Sequence, residues 1–225
     1  MAIRIALHHK TEYHYDRLAE LGPQIIRLRP TPHCRTPIVS YSLNIEPDDH
    51  FLNWQQDPQS NWLARLLVNA PTRKFSMEVD LVADLMPINP FDFFLEEDAE
   101  TYPFEYPYKL RRELRSYFSK QRMQPLFQAF LESIDTTEIR SIEFLALVNE
   151  KVNSSLEYTL RMDPGIYTPE RTLREGKGSC RDFAWLLVHL FRRLGLAARF
   201  VSGYSIQLAA DEKPVDPNAP AGVTK

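Results

Sequence analysis

The spacing of hydrophobic residues changes near residue 87, and this change constrains the fold more than any other feature. Before it, apolar and polar residues alternate, as in Val39–Glu46 and Phe75–Val82. Such alternation predicts strands with one buried and one solvent-facing side. After it, apolar residues recur every three or four positions, which predicts helices. The sequence therefore predicts an α+β protein, with an N-terminal antiparallel β-sandwich or barrel before a helical part.

The boundary between these parts is rich in proline and aromatic residues. Residues 87–108 contain four prolines among phenylalanines and tyrosines, a composition that favours an ordered connector over a helix or strand. We therefore predict two domains. Residues 1–108 form an N-terminal β domain with its connector, and residues 109–225 form a second, largely helical domain. Weaker strand candidates in the first domain are Ile3–Tyr15, Gln24–Arg29 and Leu63–Asn69.

Four segments of the second domain, all before residue 174, have the spacing of helices or helical turns. Asp135 and Glu138 have the spacing of a capping box, and Thr168 precedes a proline as an N-cap residue does. Beyond the last helix, Ala198–Ile206 is predicted to be a strand and residues 211–225 a flexible loop or tail. The predicted helices are Lys109–Lys120, Leu126–Ile134, Ile139–Val152 and a short turn from Pro169 to Leu173.

The best-defined helix is predicted over about Cys180–Leu194. Ser179 and Asp182 have the S-x-x-D spacing of a capping box, and Gly195 stands where a left-handed C-terminal residue belongs. Apolar residues cover most of the helix circumference, so we predict that this helix is central and buried.

Composition excludes several classes of function. The 225 residues carry a net charge of −3, which argues against a general nucleic-acid-binding protein. No apolar run approaches the ~20 residues of a membrane span, and the first ten residues lack the apolar region of a signal peptide. We therefore predict a cytoplasmic protein without membrane or nucleic-acid partners. Two cysteines, Cys34 and Cys180, are too few for a disulfide framework or a cysteine-rich zinc site.

Cys180 is the main candidate for chemistry. It lies in the first turn of the predicted central helix, directly after Gly176, Lys177, Gly178 and Ser179. Unpaired N–H groups and the helix dipole at such a position stabilise a thiolate and a developing oxyanion. Two interpretations stay open on this spacing alone: a nucleophile for acyl transfer, and a small structural cysteine that begins a helix.

Other polar residues have simpler interpretations. Asp182 is expected to cap its helix and pair locally, and Arg181 to be a solvated side chain. Trp185 either borders a cleft or belongs to the core. His8 and His14 would share one strand face, but they lie about 20 Å apart, so a solvated face is favoured over a metal pair.

The sequence from Thr172 to Tyr204 resembles the nucleophile region of the transglutaminase-like superfamily. The resemblance rests on TLREGKGSCRDFA at 172–184 and LGLAARFVSGY at 194–204, with looser likeness in Tyr158–Gly165 and Pro169–Leu173. Tyr13-His14-Tyr15 and Arg27-Leu28-Arg29-Pro30 resemble the bacterial transglutaminase-like N-terminal β domain.

This resemblance implies a papain-like fold and a Cys-His-Asp triad, in which Cys180 is the nucleophile. It further implies acyl transfer or amide hydrolysis on a protein or peptide amide, through a thioester on Cys180 and without a cofactor or metal. The family includes protein cross-linking enzymes, amide hydrolases and inactive relatives. The oligomeric state is left open.

The chain departs from the family after Tyr204, where the triad histidine and aspartate are expected. No histidine follows Tyr204, and Asp211 and Asp216 do not match the family's aspartate strand. His189 lies nine residues beyond Cys180 on the same predicted helix, about 13 Å away, too far to serve as base. We therefore expect that this chain is truncated before the His and Asp, has an incomplete papain-like core and is inactive. The alternative is a non-catalytic module that binds a protein or peptide.

Overall fold

The computed structural model describes residues 2–86, 93–161, 163–204 and 206. The chain divides into two compact units between Phe93 and Phe94. The predicted domain assignment, with its division between residues 108 and 109, stays a prediction. No helix in the described part of the chain is long and apolar enough to cross a membrane.

In the part of the first unit that the structure describes, the strands form two antiparallel sheets of three strands each. One sheet has the strand order β1-β6-β3 and the other β2-β5-β4. The strands are β1 (Ile3–Ala19), β2 (Gln24–Ile26), β3 (Ile38–Glu46), β4 (His50–Gln56), β5 (Trp62–Val68) and β6 (Thr72–Leu85).

A hydrophobic core joins the inner faces of these sheets. Ile45 and Phe75 of the first sheet lie in the same buried cluster as Ala64 and Leu66 of the second. Packing of two antiparallel sheets through alternating inward residues is the arrangement of a sandwich. The predicted N-terminal antiparallel β domain is therefore confirmed.

The outer face of the β1-β6-β3 sheet is charged. Lys10 Nζ lies 2.7 Å from Glu78, and Arg4 Nε lies 2.7 Å from Asp84. His8 contacts Asp80 across the strands. His8 and His14 thus lie beside carboxylates on a solvated strand face, as the alternation predicted.

Among its described residues, the second unit contains five α-helices and two short strand pairs. β7 pairs with β8 antiparallel, and β9 pairs with β10 parallel. Two 3-10 turns span Glu97–Ala99 and Arg115–Phe118. The helices are α1 (Tyr108–Glu113), α2 (Pro125–Glu132), α3 (Ser141–Ser155), α4 (Pro169–Glu175) and α5 (Cys180–Arg193), and the strands are β7 (Thr101–Tyr102), β8 (Ile139–Arg140), β9 (Glu157–Tyr158) and β10 (Lys177–Gly178).

Helix α5 is at the centre of this unit, as predicted. Leu186 and Leu190 of α5 are fully buried against Phe144 and Val148 of α3. Tyr102 of the proline-rich segment stacks on Phe144 with 3.6 Å between ring centroids. The second unit therefore has a core of its own, and α5 contributes two of its most buried side chains.

Two predicted helix boundaries are wrong because tertiary contacts override local signals. The predicted helix Lys109–Lys120 ends at Glu113, and Phe118 in the following 3-10 turn packs edge-on against Tyr106. Helix α3 begins at Ser141 without a capping box, since the Asp135 carboxylate accepts the Thr137 N–H instead. Pairing of β8 with β7 keeps the residues before Ser141 extended.

The strand predicted over Ala198–Ile206 is absent from residues 198–204. The Ala198 N–H donates to the Tyr117 carbonyl, and its own carbonyl accepts from Arg192. These contacts satisfy the backbone of Ala198 without the ladder that a strand requires. The tail predicted over residues 211–225 lies outside the described residues.

Candidate functional site

The turn before Cys180 is held by the preceding helix and by the β9–β10 pair. Gly176 ends α4 in the left-handed region, with φ of +65°, and its N–H donates to the Thr172 carbonyl. Backbone bonds from Glu157 to Gly176 and from Thr159 to Gly178, both 2.9 Å long, fix the two glycines. The position of Cys180 is therefore set by backbone contacts on both sides of the turn.

Cys180 is exposed as the first residue of α5, whereas its neighbour Ser179 is buried. In general, the N–H groups of a helical first turn have no intrahelical partner, and the helix dipole is positive there. The thiol is therefore accessible at a position that favours negative charge.

Tyr158 lies beside this thiol. Burial and then the interaction with Cys180 raise the pKa of the Tyr158 phenol. The Phe183 ring of α5 meets the Tyr158 ring edge-on, with 6.2 Å between centroids. Tyr158 thus places a neutral aromatic ring next to the candidate nucleophile. The sequence analysis did not identify it as a site residue.

Asp182 is completely buried one turn into α5. Its carboxylate accepts the Ser179 N–H at 2.9 Å and the Ser179 hydroxyl at 2.8 Å. It also accepts the Tyr167 N–H at 2.8 Å. The expectation that Asp182 caps its helix and pairs locally agrees with these contacts, and the carboxylate serves to fix the loop that precedes α4 as well.

Arg161 supplies the countercharge to Asp182. Its Nε and Nη2 atoms lie 3.1 and 2.9 Å from the two carboxylate oxygens. Burial alone would raise the pKa of Asp182, but Arg161 and the Tyr167 and Ser179 donors hold it well below the ordinary value. The ring of Tyr167 lies between the guanidinium groups of Arg161 and Arg171, at 4.0 and 3.8 Å.

Gly178 is required by this packing. A Cβ atom at Gly178 would lie 2.9 Å from the Asp182 Cβ and 3.3 Å from its Oδ2. Distances of this kind force a neighbour to move, so the second glycine of G-x-G makes room for the Asp182 side chain.

Two other residues singled out in the sequence have structural contacts. Arg181 is half-buried and donates to the Arg161 carbonyl at 3.0 Å, so it is not the solvated side chain that was expected. Trp185 is half-buried and packs edge-on against His189 and Phe200.

His189 is distant from Cys180 on α5. Nine residues span about 13 Å and about two and a half turns, which places the two side chains on opposite sides of the helix. Burial, with Arg192 and Arg193 nearby, lowers the pKa of His189 to about 4. The imidazole is therefore neutral at pH 7 and is not positioned to act on the Cys180 thiol.

The sequence reasoning missed Arg161 as the partner of Asp182. The pair is 21 residues apart and joins a loop to a helix, so no local spacing marks it. The usable signal was chemical: an aspartate on a buried helix requires a countercharge or several donors.

Comparison with known proteins identifies both parts of the chain. Residues 5–84 match the family model of the bacterial transglutaminase-like N-terminal region, and residues 128–216 match that of the transglutaminase-like superfamily. Uncharacterized proteins of Mycobacterium tuberculosis and Mycobacterium bovis are each 24% identical over 218 residues, which cover 94% of this chain and 68% of theirs.

A solved structure has the same fold. The crystal structure of a candidate cysteine protease from Cytophaga hutchinsonii superimposes with a TM-score of 0.60 at 17% identity, over 86% of this chain. This chain spans 64% of the length of that one.

The family matches and this structural likeness support a cysteine-based catalytic fold of the papain-like type. Residues 128–216 are thus similar to the transglutaminase-like superfamily, and residues 5–84 to the bacterial transglutaminase-like N-terminal region.

Proposed function

We propose that Cys180 is the nucleophile of an acyl-transfer reaction on a protein or peptide amide, carried out by the full-length protein. The observation that supports this is the exposure of Cys180 at the first residue of α5, directly after the buried Ser179. A structural cysteine at such a position would be expected to be covered.

The reaction begins with attack of the Cys180 thiolate on the carbonyl carbon of a carboxamide or peptide bond. A C–S bond forms, and the carbonyl electrons move to the oxygen, which the first-turn N–H groups of α5 can stabilise. Collapse of this intermediate breaks the C–N bond, and the departing amine takes a proton. Water then hydrolyses the thioester to a carboxylic acid, or a second amine forms a new amide.

The base in this proposal is a histidine that residues 94–225 do not supply. His189 is the one histidine in that part of the sequence, and it lies on the opposite side of α5. We therefore propose that residues 1–225 are inactive by themselves, and that the full-length protein provides the histidine and the aspartate that orients it.

Two acceptors are compatible with this chemistry. The Cytophaga hutchinsonii protein is named as a candidate cysteine protease, which supports water as the acceptor and therefore hydrolysis. The superfamily is named for transglutaminases, which supports a second amine as the acceptor. Which one reacts depends on how well the cleft of the full-length protein excludes water.

Competitive alkylation tests whether Cys180 is activated. Cys34 is the reference thiol, because it is exposed as well but lies in a turn rather than at a helix N-terminus. We expect limiting iodoacetamide at pH 7 to modify Cys180 faster than Cys34, as measured by peptide mass spectrometry. The urea-denatured chain is the control, and a Cys180 rate no higher than its rate there would overturn the nucleophile assignment.

Activity itself is tested on the longer natural protein with a glutamine-containing peptide and a fluorescent amine. We expect Cys180→Ser to abolish both amine incorporation and ammonia release, while Cys34→Ser leaves them unchanged. Turnover that survives Cys180→Ser would refute the proposal. Ordinary alkylation together with no turnover would favour the binding-module alternative.

A further inference from the structure

A cavity lies in the helical unit on the side of α5 away from Cys180. It has a volume of about 270 Å³ and is bounded by α2, α4, α5 and the segment before α2. Its wall includes Arg122, Gln124, Glu170, His189 and Arg193. The lower limit for small-ligand pockets is about 300 Å³, so the space suits a ligand of modest size.

His189 is the unusual group in this wall. The residue is 3% exposed, and its Nε2 atom has no hydrogen-bond partner among the described residues. A buried polar atom left in this state destabilises the fold. Buried polar groups in proteins nearly always have a partner, so an orphan beside a cavity indicates that the cavity contents supply it.

The charge around the cavity is positive. Arg122 and Arg193 both contribute to the wall. Arg193 donates to the Gln121 carbonyl, but a guanidinium carries five N–H donors, so this contact does not exhaust it.

The carboxylate in the wall is already engaged. Glu170 is buried, and its two oxygens accept the N–H groups of Leu126 and Phe127 in the first turn of α2. The positive end of α2 therefore offsets the charge of Glu170, and the two arginines determine which ligand is favoured.

We propose that this cavity binds a small oxyanion, a carboxylate or a phosphate. Arg122 and Arg193 bind the anion through their planar guanidinium groups, and His189 donates its Nε2–H to one of the anion's oxygens or to a neighbouring polar atom of the ligand. About 13 Å of helix separates this site from Cys180, so the anion is not the amide substrate of the proposed reaction.

Calorimetric titration of the chain with succinate, and separately with inorganic phosphate, tests this proposal against potassium chloride at equal ionic strength and pH 7.5. We expect saturable binding of at least one anion. Binding of succinate would identify the ligand group as a carboxylate, and binding of phosphate would identify it as a phosphate. Arg122→Gln should weaken binding about tenfold, as expected for one charge-assisted hydrogen bond. The matched variant Arg115→Gln removes the same charge from an exposed residue outside the cavity wall and should change affinity less than twofold.

The imidazole supplies an independent readout. We expect the ring ¹⁵N resonances of His189, assigned by comparison with His189→Gln, to shift with the same midpoint as the heat of binding. Absence of saturable binding for both anions would show that the cavity holds water only. Unchanged His189 resonances, or equal weakening by both arginine variants, would also overturn the site. Each outcome is independent of whether Cys180 is catalytic.

Discussion

At the scale of single residues, Asp182 has the largest influence on the Cys180 turn. Its carboxylate accepts hydrogen bonds from the Ser179 N–H, the Tyr167 N–H and the Arg161 guanidinium. Burial works against its negative charge, yet these donors keep it ionised. One buried charge therefore joins the start of α5 to the loop before α4.

We expect Asp182→Asn to destabilise the protein by about 3 kcal/mol, because it leaves the buried Arg161 guanidinium without its countercharge. Urea denaturation at pH 7 measures the change. Asp163→Asn is the control, since Asp163 is exposed on the same loop and should change stability by less than ~0.5 kcal/mol. Equal midpoints for the two variants would mean that the Arg161–Asp182 pair does not hold the loop.

His189 predicts a dependence of stability on pH. Its pKa is about 4 in the folded protein and near the ordinary 6.5 when unfolded, so the unfolded chain binds the proton more tightly. The contribution of His189 is fully present above pH 6.5 and is lost as the pH falls towards 4. We expect the free energy of unfolding, from urea titrations between pH 7.5 and 4.5, to decline across this window.

His189→Gln should flatten that decline, because glutamine does not titrate. The Asp182 carboxylate also stabilises the fold less in acid, but its pKa lies below the ordinary 3.8, so its effect falls outside this window. An identical slope in the wild type and His189→Gln would contradict the assignment.

At the scale of elements, caps explain why short helices form here. Helix α4 has only seven residues, too few to be stable alone. Thr168 accepts the Arg171 N–H at one end, and Gly176 takes the left-handed conformation at the other. The helix thus begins and ends where local chemistry satisfies its terminal groups.

Thr168→Ala should lower stability by about 1 kcal/mol, the usual effect of removing an N-cap oxygen. Thr168→Ser keeps that oxygen and should retain most of the stability. Thermal denaturation followed by circular dichroism distinguishes them, and equal losses would show that the lost methyl group matters rather than the cap.

Helices with local caps were predicted well, because the signals that end them lie close by in the sequence. The start of α4 and both ends of α5 follow from residues within a few positions of those ends, namely Thr168, Asp182 and Gly195. Strand β4 was missed because Phe51 faces outward beside the inward Leu52, which hides the alternation. The break after Glu113 depends on aromatic contacts distant in sequence, so no local pattern marks it.

At the scale of the whole molecule, each unit has its own hydrophobic core among the described residues. Val79 is fully buried in the β unit, and Leu186 is fully buried in the helical unit. No described residue belongs to both cores. Damage to one core should therefore be detected first in the unit that contains it.

We expect Leu186→Ala to cost about 3–5 kcal/mol and to speed hydrogen exchange in α3 and α5 more than in β5 and β6. Hydrogen-exchange mass spectrometry on the whole chain measures both regions. Leu145→Ala is the control, because Leu145 is 40% exposed on α3 and should have a small effect. Equal acceleration in both regions would mean that the two units unfold together.

The sequence by itself determined the elements whose causes are local. Alternation specified the β unit, and the S-x-x-D spacing with Gly195 specified the central helix and put Cys180 at its first residue. Only the tertiary structure decided what surrounds that cysteine. Arg161 reaches Asp182 across 21 residues, and Tyr158 lies beside the thiol because β9 pairs with β10. Periodicity and caps act within one or two helical turns, whereas burial of a charge requires a partner from wherever the folded chain supplies one.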